Sequence, residues 1–141
     1  MKLPRNFPAP ARVEPSKEAD EFARKVIGAA IDVHRTLGPG YLESIYEEAL
    51  CIELDDLKIP YERQHTIGVE YKGRKIGEGR LDLLVGKILP VELKAVEALG
   101  EIHQAQLISY LKMTRLQLGL LINFNVPILK NGIKRVIYTQ P

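Results

Sequence analysis

The residues with the most chemical content lie in the stretch Gly79-Arg80-Leu81-Asp82-Leu83-Leu84-Val85-Gly86-Lys87-Ile88-Leu89-Pro90-Val91-Glu92-Leu93-Lys94. It places an acid in one apolar run and Glu-Leu-Lys in the next. If both runs are strands, alternation sends Glu92 and Lys94 to one face while Val91 and Leu93 enter the other layer. Asp82 shares that face only if it sits opposite Glu92, which requires an odd-numbered loop such as Gly86 to Ile88. Two carboxylates converging beside a lysine suit phosphodiester hydrolysis. Their oxygens can hold Mg²⁺ or Mn²⁺, and such an ion polarises phosphate and lowers the pKa of a water. Lys94 would position that water or neutralise charge developing on the phosphate. The same three residues could equally form an exposed cross-strand ion pair. Against this, Leu81, Leu83, Leu84, Val85, Leu89, Val91 and Leu93 make both strands largely apolar, which points to covered faces where unpaired charge is costly.

Two helical segments could complete such a site. Glu43, Tyr46 and Glu47 fall at i, i+3 and i+4, and Gln106 and Tyr110 at i, i+4, so each set lies on one helix face. Glu43 could complete a metal shell or hold a metal-bound water, and Gln106 could orient water or a nucleic-acid backbone. Their ordinary roles are helix solvation near a positive N-terminus for Glu43 and Glu47, and core packing with a wet hydroxyl for Tyr46 and Tyr110.

The elements that must position these residues follow from periodicity. Residues 1–15 carry Pro4, Pro8, Pro10 and Pro15 with little apolar content and predict an extended arm before a single domain over 16–141. Ser16 is placed to N-cap a helix running to Leu37, stopped by Gly38-Pro39-Gly40. A second helix is expected from Tyr41 to Asp56. Strands are expected at Thr66–Tyr71, Leu81–Val85 and Ile88–Leu93, with turns at Lys72-Gly73 and Gly86-Lys87. A third helix follows from Gly100 or Glu101 to Met113, then a buried strand Leu118–Phe124, a turn at Asn131-Gly132 and a last strand Ile133–Tyr138. The outline is ααββββαββ, an α/β or α+β layer with a mixed sheet. Pro90 removes a ladder donor and predicts a bulge or an exposed edge at the start of its strand.

Composition narrows the functions. The 141 residues are 45% hydrophobic and 27% charged, as in ordinary soluble domains. A lone cysteine, Cys51, makes neither an internal disulfide nor a zinc ribbon and fits a reducing compartment, with the cytoplasm as the expected location. No apolar stretch reaches a bilayer span, and no phosphate-loop motif supports a nucleotide cofactor. His34, His65 and His103 lack metal-binding spacing. Net charge is only +2, yet the signs segregate: residues 14–56 hold eleven acids and four bases, and nothing after Glu101 is acidic. A solvated acidic helix pair and a basic tail account for this, as does an acidic site beside a basic rim.

Gly40-Tyr41-Leu42-Glu43-Ser44-Ile45-Tyr46 resembles the signature of the small GxxExxY proteins. Asp82 with Glu92-Leu93-Lys94 is similar to the core of the PD-(D/E)XK nuclease superfamily to which they are related. Gln106-Leu107-Ile108-Ser109-Tyr110 resembles the QxxxY helix motif of RecB-type and lambda-exonuclease-like domains. The resemblance runs from about Val26 to Val136. It implies a restriction-endonuclease-like αβββαβ core with a mixed central sheet flanked by helices. It also implies Asp82 and Glu92 as metal ligands aided by the Leu93 carbonyl, Lys94 as the catalytic lysine, Glu43 as the helical acid, and Gln106 with Tyr110 as an auxiliary pair. Leu81 stands where the superfamily name has proline, a position that varies among its members.

The resulting expectation is a Mg²⁺- or Mn²⁺-dependent nuclease acting on DNA, with Arg63, Arg74, Arg80, Lys112 and Arg115 contacting phosphates without sequence preference. The rivals are a catalytically silent nucleic-acid-binding module that keeps the fold, and a protein-assembly module in which Asp82, Glu92 and Lys94 are a fold-holding ion network. A domain this small, without an evident clamp, leaves room for a homo-oligomer or a protein partner to enclose the substrate.

Overall fold

A computed structural model describes residues 15–139; the arm expected over 1–15 falls, but for Pro15, outside the described residues. Helix α1 spans Lys17–Leu37, and the Ser16 hydroxyl accepts from the Ala19 N–H at 3.1 Å, the expected N-cap. Helix α2 spans Glu43–Asp56. Three strands follow, β1 (Tyr61–Tyr71), β2 (Arg74–Val85) and β3 (Leu89–Lys94), then α3 (Glu101–Thr114), β4 (Leu118–Asn123), a short 3₁₀ turn at Leu129–Gly132 and β5 (Ile133–Ile137).

The outline counts four strands before α3, but three form, at the three named runs, with the first reaching back to Tyr61 and the second to Arg74. Lys72 and Gly73 both have positive φ (51° and 75°), as a two-residue hairpin turn with the twist of its strands requires. Asn131-Gly132 closes the 3₁₀ turn where a simple hairpin turn was expected.

The sheet order is β1-β2-β3-β4-β5. Every pairing is antiparallel except β3 with β4, which α3 connects as a crossover. This mixed sheet between helices is the α/β, αβββαβ arrangement of restriction-endonuclease-like folds. Pro90 neither bulges β3 nor puts it at an edge. It pairs with Leu84 in an unbroken register, and β3 is the central strand, whose ladder with β4 begins one residue later at Val91. The proline therefore stands where no bond to β4 is formed.

Alternation divides the sheet between two cores. Leu83 and Val85 of β2, Leu89, Val91 and Leu93 of β3, and Leu118, Leu120 and Ile122 of β4 pack toward α1 and α2 with Val26, Ala30, Leu50 and Leu54. Leu121 and Val136 pack the other way, against Leu107 and Leu111 of α3. Glu92 and Lys94 alternate with the first set and so belong to the α3 face.

Candidate functional site

The β2–β3 ladder pairs Leu83 with Val91, Leu84 with Pro90 and Val85 with Leu89, which leaves the three-residue loop Gly86 to Ile88. Extending the same register puts Asp82 opposite Glu92, meeting the condition set by the sequence. The ladder itself stops at Leu83. In its place the Asp82 N–H donates to Glu92 Oε1 at 2.8 Å, and the Leu93 N–H donates to Asp82 Oδ2 at 2.8 Å. Each carboxylate thus commits one oxygen to the backbone of the segment that carries the other.

Both carboxyls titrate above their ordinary range. Burial, then the adjacent Asp82 charge, pushes Glu92 up to about 7, with Glu43 adding repulsion and Lys94 opposing it. Asp82 is raised chiefly by burial and also by Glu47, while the Leu93 N–H, Gln64 and Lys94 favour its charged form.

Asp82, Glu92, Lys94, Gln106 and Tyr110 line one cavity of about 610 Å³, with Gln64, Arg80 and Ser109 as further polar neighbours and Ile67, Val69 and Met113 as apolar ones. Four elements meet there: β1, β2, β3 and α3. The Tyr110 hydroxyl donates to the Arg80 carbonyl. Its ring lies so close to β2 that a Cβ at Gly79 would come to 3.0 Å from it, and the ring would have to give by a few tenths of an ångström to admit one.

Other expected residues lie elsewhere. Glu43 opens α2 beside Tyr41, Leu42, Ser44 and Ala95 in a separate depression, so the helical acid does not line the cavity. Tyr46 is fully buried, stacked on Phe124 with ring centroids 4.4 Å apart. Its hydroxyl donates to the Gly38 carbonyl at 2.6 Å and accepts from the Tyr41 N–H at 3.2 Å. Gly40 takes φ 108° in the same loop, so the Gly40–Tyr46 signature holds the α1–α2 connection together. Glu47 is buried and bound through both oxygens, Oε2 by Arg63 at 2.7 Å and Oε1 by Gln64 at 2.8 Å.

Of the five basic residues expected to meet phosphates, Arg80 alone lines the cavity. Arg63 is held by Glu47 and Glu48. Arg74 is exposed at the β1–β2 turn, Lys112 lies over the Tyr138 ring, and Arg115 caps α3 beside a separate depression. The three histidines have structural neighbours: Val126 for His34, Glu62 for His65 and the Gly100 N–H for His103.

Two residues escaped the sequence reading. Gln64 projects into the cavity from a strand position with φ 51°, a conformation nothing in Arg63-Gln64-His65 announces. Asn123 ends β4 and clamps the chain beyond Lys94: its Oδ1 accepts from Val96 N–H at 3.0 Å and its Nδ2 donates to Val96 O at 2.9 Å. A polar residue closing an otherwise apolar strand was the available signal.

The donors at the cavity are those a hard divalent cation takes. A buried carboxylate, Glu92, beside a half-buried one, Asp82, supplies hard oxygen donors, both raised chiefly by desolvation, and Mg²⁺ commonly takes only one or two carboxylates and keeps several waters. The pair fits such an ion. Among the described residues, no group of three or more His, Cys, Asp or Glu side chains is gathered that could hold a metal. The expected third acid, Glu43, does not line the cavity but is near enough to Glu92 for its charge to be felt there.

The fold is that of a restriction-endonuclease-like domain. Residues 20–136 match the PD-(D/E)XK nuclease superfamily, and the chain belongs to it. Among solved structures, the crystal structure of SSO0001 is similar at 20% identity and a TM-score of 0.47, over 89% of this chain and 60% of that one. The chain spans 60% of that protein's resolved length. A comparison with curated proteins gives no match. Among the described residues no helix is long and apolar enough to cross a membrane.

Proposed function

We propose that this chain is a divalent-metal-dependent nuclease that hydrolyses DNA phosphodiester bonds, a member of the GxxExxY group working in the cytoplasm as a single domain over 16–141. The supporting observation is the interlocked Asp82–Glu92 pair in a cavity that also admits Lys94. Asp82, Glu92 and the Leu93 carbonyl would hold Mg²⁺ or Mn²⁺. When bound, the ion supplies a polarised phosphate and an acidified water. Lys94, two residues beyond Glu92 on the same strand face, offers its ammonium to a phosphate oxygen or to the attacking water. Gln106 presents both donor and acceptor to the cavity and can orient that water or the nucleic-acid backbone. Tyr110, bonded to the Arg80 carbonyl, holds α3 against β2 and so fixes the cavity's width. Arg80 and Arg74, with Lys112 and Arg115 farther off, would meet backbone phosphates without reading sequence.

The test is degradation of labelled single-stranded, linear duplex and circular DNA with Mg²⁺, Mn²⁺ or EDTA, comparing wild type with Glu92→Ala. Metal-dependent cleavage lost in the variant is the expected result. The second reading is a catalytically silent nucleic-acid-binding or protein-assembly module that keeps the nuclease fold. Equal inertness of both proteins with retained DNA binding would select it.

A further inference from the structure

We infer that Gln64 is a positioning residue for the carboxylate pair, its side-chain amide tying Asp82 to Glu47 of helix α2 and thereby setting Asp82 for a divalent cation. This rests on the metal-dependent reading above.

Three observations carry it. First, Gln64 is a non-glycine residue with φ 51° inside a strand, a conformation that L-residues avoid. The β1–β2 pairing steps over it: Arg63 pairs with Leu83 and His65 with Leu81, which leaves Gln64 opposite Asp82 without a ladder bond. Second, the kink changes where side chains go. Successive residues of a regular strand point to opposite faces, yet Arg63 and Gln64 reach the same carboxylate, Arg63 at Glu47 Oε2 and Gln64 at Glu47 Oε1. Third, the Gln64 Nε2 that donates to Glu47 at 2.8 Å also lies 3.4 Å from Asp82 Oδ1. Both neighbours are acceptors, which fixes which way the amide faces.

A neutral donor therefore stands between two carboxylates. Glu47 has both oxygens bonded and is available only as an anchor, whereas Asp82 has its other oxygen on the Leu93 N–H. The amide thus holds Asp82 from the α2 side while the backbone of β3 holds it from the other. Residues in this position around metal sites orient the ligands, and their loss commonly costs 10–100-fold in metal affinity.

The test uses Gln64→Gly and Gln64→Asn in the full chain, titrated with Mn²⁺ and followed by the electron paramagnetic resonance signal of free Mn²⁺. Thermal midpoints are measured in EDTA. Both substitutes accept a left-handed φ, so both keep the kink; neither can bridge Glu47 and Asp82. The expected result is Mn²⁺ affinity at least tenfold weaker in both variants, with midpoints lowered by no more than the few degrees that loss of the Gln64–Glu47 hydrogen bond accounts for. Wild-type affinity in both would show that the kinked backbone alone suffices and overturn the inference. Weakened binding accompanied by a larger fall in midpoint would overturn it too, because loss of fold then explains the loss of metal. Wild type that takes up no Mn²⁺ at all would remove the metal reading itself, an outcome separate from either.

Discussion

The Asp82 N–H donates to Glu92 Oε1, while Asp82 Oδ2 accepts from the N–H of Leu93, one residue beyond Glu92. Two like charges are thereby fixed by main-chain donors, which cannot rotate away as side chains can. An amide in place of either carboxyl keeps an accepting oxygen but loses the charge. Glu92→Gln should fold with stability within about 1 kcal/mol of wild type or above it, whereas Glu92→Ala leaves the Asp82 N–H without its acceptor and should cost about 1–3 kcal/mol. Both should abolish Mn²⁺-dependent cleavage. Urea unfolding alongside the nuclease assay checks this; a Glu92→Gln protein that still cleaves would remove Glu92 from the metal's ligands.

The raised carboxyl of Glu92 makes stability depend on pH in a stated direction. Its ordinary value is 4.5 and its folded value about 7, so between these the folded protein holds a proton that the unfolded chain has released. Stability of the metal-free protein should therefore fall as pH rises from about 4.5 to about 7, at up to about 1.4 kcal/mol per pH unit, and level off above. Mn²⁺ affinity should climb over the same window, because the ion competes with that proton. Glu92→Gln should flatten the stability profile; matching slopes in wild type and variant would assign the pH dependence to another group.

Much of this was legible in the residues. Leu81 to Lys94 show their strands as short runs of β-favouring apolar residues, and the odd loop needed to bring Asp82 opposite Glu92 is present as Gly86 to Ile88. Ser16 announced the start of α1. What stayed hidden depends on tertiary partners. Pro90 reads locally as an edge or bulge, and only the point at which β4 joins β3 makes it harmless in a central strand. Helical spacing put Glu43, Tyr46 and Glu47 on one face, but it could not say that Phe124 and Gly38 would take Tyr46, or that Arg63 and Gln64 would take Glu47. The positive φ of Gln64 has no local sequence signal.

Arg63 and Arg80 carry the same charge in different settings, and DNA binding should separate them. Arg80 is exposed at the cavity, so Arg80→Ala should weaken DNA binding across sequences and reduce the salt slope by about 1, with little change in stability. Arg63 bonds to Glu47 and Glu48 at 2.7 Å each. Arg63→Ala should destabilise the fold by about 1–3 kcal/mol, because Glu47 is left buried without its counter-charge, and should leave the salt slope unchanged. Fluorescence anisotropy on one oligonucleotide at several salt concentrations reads both. A reduced slope for Arg63→Ala would mean that DNA draws Arg63 away from α2.

Tyr46 tests whether the Gly40–Tyr46 signature serves chemistry or architecture. Its ring is fully buried against Phe124, and its hydroxyl joins the Gly38 carbonyl to the Tyr41 N–H across the α1–α2 loop. Tyr46→Phe keeps the stacking and removes only that oxygen, leaving the half-buried Gly38 carbonyl and the Tyr41 N–H to find other partners. The expected loss is about 1–3 kcal/mol of stability, seen as a drop of several degrees in Tm. Tyr46 does not line the cavity that holds Asp82 and Glu92, so Mn²⁺ affinity and the cleavage rate of the folded fraction should stay within about twofold of wild type, a difference of about 0.4 kcal/mol. A variant of unchanged Tm with cleavage reduced tenfold or more would place the tyrosine hydroxyl in the reaction and return the signature to the active site.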